Sequence, residues 1–142
     1  MVAQAGLLAG LLVVWLAFGE GWGTAFMVAG GLLAAAGAML GGTGFLALGR
    51  NLSAYPAPLN EAVLVERGPY RLARHPIYGG IVLGGLGFSL VDGNWPGLVL
   101  CVLLLGLFLS KAGFEERHLI ARYPDYILYR SRVRRRLIPW VL

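Results

Sequence analysis

Cysteine is almost absent from this chain: Cys101 is the only one and sits inside an apolar run, so no disulfide framework is possible. Histidine is nearly as scarce. One Cys with His75 and His118 gives no zinc-ligand spacing, and no metal site is expected. Charge is sparse as well: Asp, Glu, Lys and Arg make up 13% of the 142 residues, while 58% are hydrophobic. A soluble domain carries roughly a quarter charged residues, so the balance excludes that class and implies a membrane protein. The opening MVAQAGLLAG lacks a basic flank, and no small-residue cleavage site precedes Glu20. It reads as a retained membrane helix, not a signal peptide.

What is present is four apolar runs, about Val2–Phe18, Thr24–Leu48, Ile77–Val91 and Trp95–Leu109. A membrane crossing takes roughly 20 apolar residues, which the second run exceeds and the third undershoots. The links GEGWG and DGNW are tight, so the runs pair into two hairpins. The expected fold is all-α: an integral membrane protein with four transmembrane helices and an amphipathic cytoplasmic helix at the C-terminal end. One domain is expected over 1–142, divided into an N-terminal hairpin (1–48), a loop (49–76), a second hairpin (77–112) and a C-terminal segment (113–142).

All 12 Lys and Arg residues fall within 49–76 or at and beyond Lys111, while the two tight links hold only Glu20 and Asp92. By the positive-inside rule both termini and the long loop are cytoplasmic, the inner membrane being meant if the source is bacterial. Trp22 and Trp95 then mark the outer interface. Gly30, Ala34, Ala38 and Gly42 form a four-residue stripe on the second run, and Gly80 with Gly84 another on the third. Such stripes let membrane helices approach closely. Packing within the chain is the expected use, a homodimer face the alternative. The basic tail Arg130–Arg136, mixed with apolar residues, suits anionic headgroups. Membrane lipids are the expected partners, and no nucleic acid is.

The chemistry-bearing stretch is Leu64–Gly84, LVERGPYRLARHPIYGGIVLG. Its first half is charged and its second half apolar, so the chain leaves water and enters the bilayer near Pro76, where proline suits a first helical turn. G-P-Y-x-x-x-R-H-P-x-Y-x-G brings Tyr70, Arg74, His75 and Tyr78 within a few residues of one another. Each alone has a plain structural reading: a bonded histidine, a snorkelling arginine, interfacial tyrosines. Glu115 and Glu116 follow the fourth run. Adjacent residues on a helix point in different directions, so one carboxylate at most is expected at a given pocket. Lys111 shares a face with Glu115.

LVERGPYRLARHPIYGG, followed by EERHL and YPDYILY, resembles the isoprenylcysteine carboxyl methyltransferase-like family of integral membrane methyltransferases, which has relatives among phospholipid methyltransferases. The resemblance covers about Leu48 to Arg136. It implies S-adenosyl-L-methionine bound at the cytoplasmic face, with Ala62, Val63, Leu64, Val65, Tyr70, His75, Pro76, Ile77, Tyr78 and Glu115 around the cofactor. It also implies a lipophilic methyl acceptor: a prenylcysteine-type carboxylate, a phospholipid amine or a thiol. Lys111 stands where the family has a substrate-binding arginine, and with Arg74 it is the expected catalytic pair. Tyr123-Pro124 replaces the family's aromatic-glycine pair before Tyr126. An amine acceptor must be uncharged, calling for a proton acceptor such as His118 or a carboxylate.

Two other readings share the membrane architecture. Sterol-type reductases using NADPH have a similar R-H-x-x-Y-x-G stretch followed by an acid, whereas Gly80 here leads into Ile81. A non-enzymatic lipid-binding scaffold would need only the hairpins and the basic tail.

Overall fold

A computed structural model describes residues 2–17, 19, 21–49 and 64–142. The loop prolines Pro56 and Pro58, together with Ala62 and Val63, lie outside the described residues. Within those described there is no strand: the chain forms α1 (Val2–Ala17), α2 (Thr24–Leu48), α3 (Pro76–Val91), α4 (Trp95–Arg122) and α5 (Tyr126–Arg132). A short 3-10 turn, Gly68–Arg71, precedes α3.

Two helices, α2 and α4, are long and apolar enough to cross a membrane. The helices α1 and α3 are apolar but have 16 residues each, about 24 Å at 1.5 Å per residue, less than the ~30 Å hydrocarbon core. Large apolar side chains on α2 point outward, with Leu32 70%, Met39 71% and Leu46 75% exposed. That is the pattern of a helix solvated by hydrocarbon.

The helix α4 does not stop where its apolar part does. It continues from Trp95 to Arg122 without a break at 112, so the anticipated C-terminal helix is its extension. Glu115, Glu116, Arg117, Leu119 and Ala121 are good helix formers, and Pro124 ends the run by restricting the residue before it.

The described residues gather into two compact units. The first takes 1–39 and 80–107. Buried in it are Leu11, Val82, Cys101 and Leu104, tied by a small polar network. Trp15 Nε1 donates to Ser89 Oγ at 3.1 Å, Ser89 Oγ to the Gly85 carbonyl at 2.8 Å, and Asn94 Nδ2 to the Val14 carbonyl at 2.9 Å. The Gly97 N–H donates to Asn94 Oδ1 at 2.9 Å. In an apolar surrounding every such group needs a partner, and these supply one another.

The small-residue stripe differs from the expected one. Gly30 and Gly37 are the buried glycines of α2 in this unit, and a side chain at Gly37 would collide with the Gly84 N–H and the Gly80 carbonyl of α3. Ala38 and Gly42 are exposed. The reason is helical geometry: a strict four-residue step drifts around a 3.6-residue helix, whereas alternating steps of four and three hold one line.

The second unit takes 40–79 and 108–142. Its core is Tyr126, Tyr129 and Val133, with Leu64, Leu119, Ile120 and Tyr123 against them.

Candidate functional site

The site lies wholly in the second unit and is built on the turn before α3. Pro69 at the second position of the 3-10 turn has its φ fixed near the helical value, and its carbonyl accepts from the Leu72 and Ala73 N–H groups at 2.9 and 3.0 Å. Arg74 and His75 follow as a bend outside any helix. Their N–H groups donate to the carbonyls of Arg135 (3.0 Å) and Arg136 (2.6 Å). The tail after α5 is therefore a strap, paired through its backbone with the Arg-His turn. Gly79 is where the strap passes closest: a Cβ there would fall on the Leu137 carbonyl.

His75 is buried, and both glutamates reach it. Nδ1 is 3.5 Å from Glu115 Oε2, and Nε2 is 3.4 Å from Glu116 Oε1. One carboxylate at most is expected at a given pocket, and the two do reach different nitrogens of the ring. Adjacent helical residues do diverge, but the imidazole stands between them and offers a nitrogen to each side.

The two carboxylates then lead separate lives. Glu115 belongs with Tyr78 and Lys111: the Tyr78 hydroxyl donates to Glu115 Oε1 at 2.7 Å, and Lys111 Nζ is 3.8 Å from the same oxygen. The Tyr78 ring stacks on Phe108 with centroids 4.5 Å apart and lies under Lys111 Nζ at 5.1 Å.

Glu116 belongs with arginines. Arg74 Nε donates to Oε1 at 2.9 Å in a pair whose side chains are 4% and 3% exposed. Arg136 and Arg130 stand 3.5 and 3.8 Å away. Glu116 lies seven residues past Leu109, about 10 Å along the helix axis and beyond the apolar part of α4. Burial raises its pKa, but His75 and Arg74 outweigh burial and hold the carboxyl down at about 2. Tyr70 is pushed the other way, to about 12, chiefly by burial and further by the negative charge of Glu115.

Of the residues expected at the site, the fold brings His75, Tyr78, Lys111 and Glu115 together. Arg74 is turned away from this group: its Nη1 donates to the Val133 carbonyl at 2.6 Å and its Nε is held by Glu116. Tyr70 is buried, its carbonyl accepting from the Tyr129 hydroxyl at 2.7 Å. Pro76 and Ile77 form the first turn of α3 opposite Gly44. Leu64 packs on the Tyr126–Tyr129 core and Val65 is half-buried. His118 is not part of the group, its Nδ1 lying 3.0 Å from the Phe114 carbonyl on an exposed face. Sequence reasoning missed the Glu116 hub and its tail arginines. The run Arg130–Arg136 was visible, but it reads as lipid-facing until the strap is seen to fold back.

Apolar helices long enough to cross a membrane, with paired carboxylates at the polar end of α4, define a helical membrane protein. The phospholipid methyltransferase family model matches residues 25–126, and the chain belongs to that family. The match takes in nearly all of α2 as well as both halves of the motif, so the likeness extends further toward the N-terminus than the expected Leu48. A search of curated proteins finds no match.

Proposed function

We propose that the chain is a single membrane methyltransferase domain using S-adenosyl-L-methionine, with the cofactor beside His75, Tyr78 and Glu115 at the cytoplasmic face. The observation that carries this is the Tyr78–Glu115 hydrogen bond with His75 alongside. It joins the two halves of the motif, 37 residues apart, at one place. The side chains suit the cofactor. Glu115 is 16% exposed and offers a carboxylate to an ammonium group, Tyr78 and Phe108 offer flat aromatic surface, and His75 presents Nδ1 on the same side, 3.5 Å from Glu115 Oε2.

When bound, S-adenosylmethionine supplies a methyl group already activated by its sulfonium centre. The protein's task is then alignment and exclusion of water. Tyr78 fixes the Glu115 carboxylate, and Lys111 places positive charge one turn before it for an anionic part of the acceptor. A lysine does this as a point charge without arginine's fork. Arg74 is a positioning residue, holding Glu116 and the strap. Leu64 and Val65, with the preceding Ala62 and Val63, complete the cofactor side in this reading.

Four crossings with both termini cytoplasmic, and a lipophilic acceptor arriving from the bilayer, agree with the one-sided charge. Family membership favours a phospholipid amine as acceptor. A prenylcysteine-type carboxylate is the second reading, favoured by Lys111 beside Glu115.

Membranes containing the chain, incubated with tritiated methyl donor and extracted, test this. Label stable to base in phospholipid, lost in His75→Ala and Glu115→Ala, is the expected result. Base-labile label marks a methyl ester and the second reading. No lipid labelling in the folded protein overturns both.

A further inference from the structure

The second unit also holds a cleft of about 520 Å3 whose wall carries Arg74, Arg130, Arg134, Arg135 and Arg136, together with Leu109 and Leu142. It is on a different side of α4 from Tyr78. Leu109 and Glu116 are two turns apart and share one stripe of the helix, while Phe108, Lys111 and Glu115 form the neighbouring stripe. Four of the five arginines lie beyond residues 25–126, which the family model matches.

The charges in this cleft do not balance. Glu116 is shared among Arg74, Arg130 and Arg136, and the Leu142 oxygen is taken up by the Leu137 and Ile138 N–H groups. Five guanidinium groups against the Glu116 carboxylate leave a positive excess confined to a small volume. An anion offsets that repulsion, and guanidinium forks match phosphate oxygens in pairs. The apolar part of the wall says where the anion comes from. Leu109 ends the apolar stretch of α4, so the cleft opens where hydrocarbon gives way to headgroups. Trp140 and Val141, 79% and 68% exposed, put apolar surface on the adjoining tail, as interfacial segments do.

We propose that the arginine cleft binds the phosphate of an anionic phospholipid that is not itself the methyl acceptor. The site is independent of the methyl-transfer reading and shares with it only the membrane placement of α4.

The full chain, purified in neutral detergent, is titrated with dioleoylphosphatidylglycerol, with dioleoylphosphatidylcholine and with inorganic phosphate, and bound lipid is counted by native mass spectrometry. Arg134→Gln/Arg135→Gln is the test variant. Both side chains are exposed, and the Arg135 carbonyl keeps its bond to Arg74 whatever side chain it carries. A melt followed by circular dichroism establishes that the variant is folded. The expected result is a preference for phosphatidylglycerol that falls roughly tenfold or more in the Gln pair, the scale of two arginines near an anionic surface. Arg134→Lys/Arg135→Lys should keep most of it. Equal binding of the two lipids, or a preference unchanged in the Gln pair, overturns the proposal. So does inorganic phosphate that displaces the lipid at equal concentration, which would mark a site for free anions.

Discussion

Arg74 and Glu116, 42 residues apart, form an ion pair at 2.9 Å with both side chains nearly sealed from solvent. The pair locks α4 to the turn before α3, and through the Val133 carbonyl it reaches the tail. Removing one partner of a buried pair leaves an uncompensated charge and costs about 3–5 kcal/mol. Arg74→Met should approach that loss, moderated by Arg130 and Arg136. Arg74→Met/Glu116→Leu should regain most of it, because the two costs are not additive. Unfolding curves in detergent for the two singles and the double decide this. Additive losses would mean that the pair is not a unit.

Tyr78 should behave differently, since its ring and its hydroxyl do separate jobs. Tyr78→Phe keeps the stack on Phe108 and removes only the bond to Glu115, a change of about 1 kcal/mol in stability. Binding of S-adenosylmethionine should weaken several-fold as Glu115 loses its orientation. Isothermal titration calorimetry on Tyr78→Phe and Tyr78→Ala separates the two roles. Unchanged affinity in Tyr78→Phe would detach the hydroxyl from cofactor binding.

Acid should reveal Glu116. Its carboxyl titrates at about 2 in the fold, below the ordinary 4.5, so the unfolded chain takes up this proton first as pH falls. The stabilisation is complete above about 4.5 and is lost as pH drops through about 2. Melting temperature should therefore decline across that window, and Glu116→Gln should flatten the decline while lowering stability at neutral pH. An equal acid slope in both proteins would assign the effect elsewhere. Tyr70 gives the alkaline counterpart. Its folded value is raised to about 12 from 10.0, so its contribution is intact below 10.0 and lost as pH rises through about 12.

The half of the site carried by local motifs was legible in the sequence. His75, Tyr78 and Glu115 announce themselves by type and spacing, and helical periodicity puts Lys111 beside Glu115 whatever the tertiary fold. What was not legible depends on backbone and distance. The Val133 carbonyl that receives Arg74, and the Arg135 and Arg136 carbonyls that pair with the turn, belong to a main chain that looks the same at every residue. The second role of Arg130 and Arg136, as partners of Glu116, appears only when the strap returns. The helices themselves were placed well because apolar runs ended by Gly, Asp and Pro leave little choice. Where α4 ends was less clear, because a charged continuation of a helix and a new amphipathic helix have the same pattern.

The glycines of α2 offer the sharpest contrast between a pattern and its use. Gly37 and Gly42 look alike in sequence, but a Cβ at Gly37 meets the backbone of α3, which cannot yield, whereas one at Gly42 meets nothing within 4 Å. Gly37→Ala should cost about 1–3 kcal/mol, the range for overpacking a close contact. Gly42→Ala should cost nothing and gain up to about 1 kcal/mol, since alanine is the better helix former. Both are read from unfolding in mixed micelles under the same conditions. The pairing of the two variants excludes a general sensitivity of α2 to added bulk. If Gly42→Ala were the damaging one, the close-packed line would run along the four-residue stripe after all, and the contact between α2 and α3 in the first unit would have to be rotated.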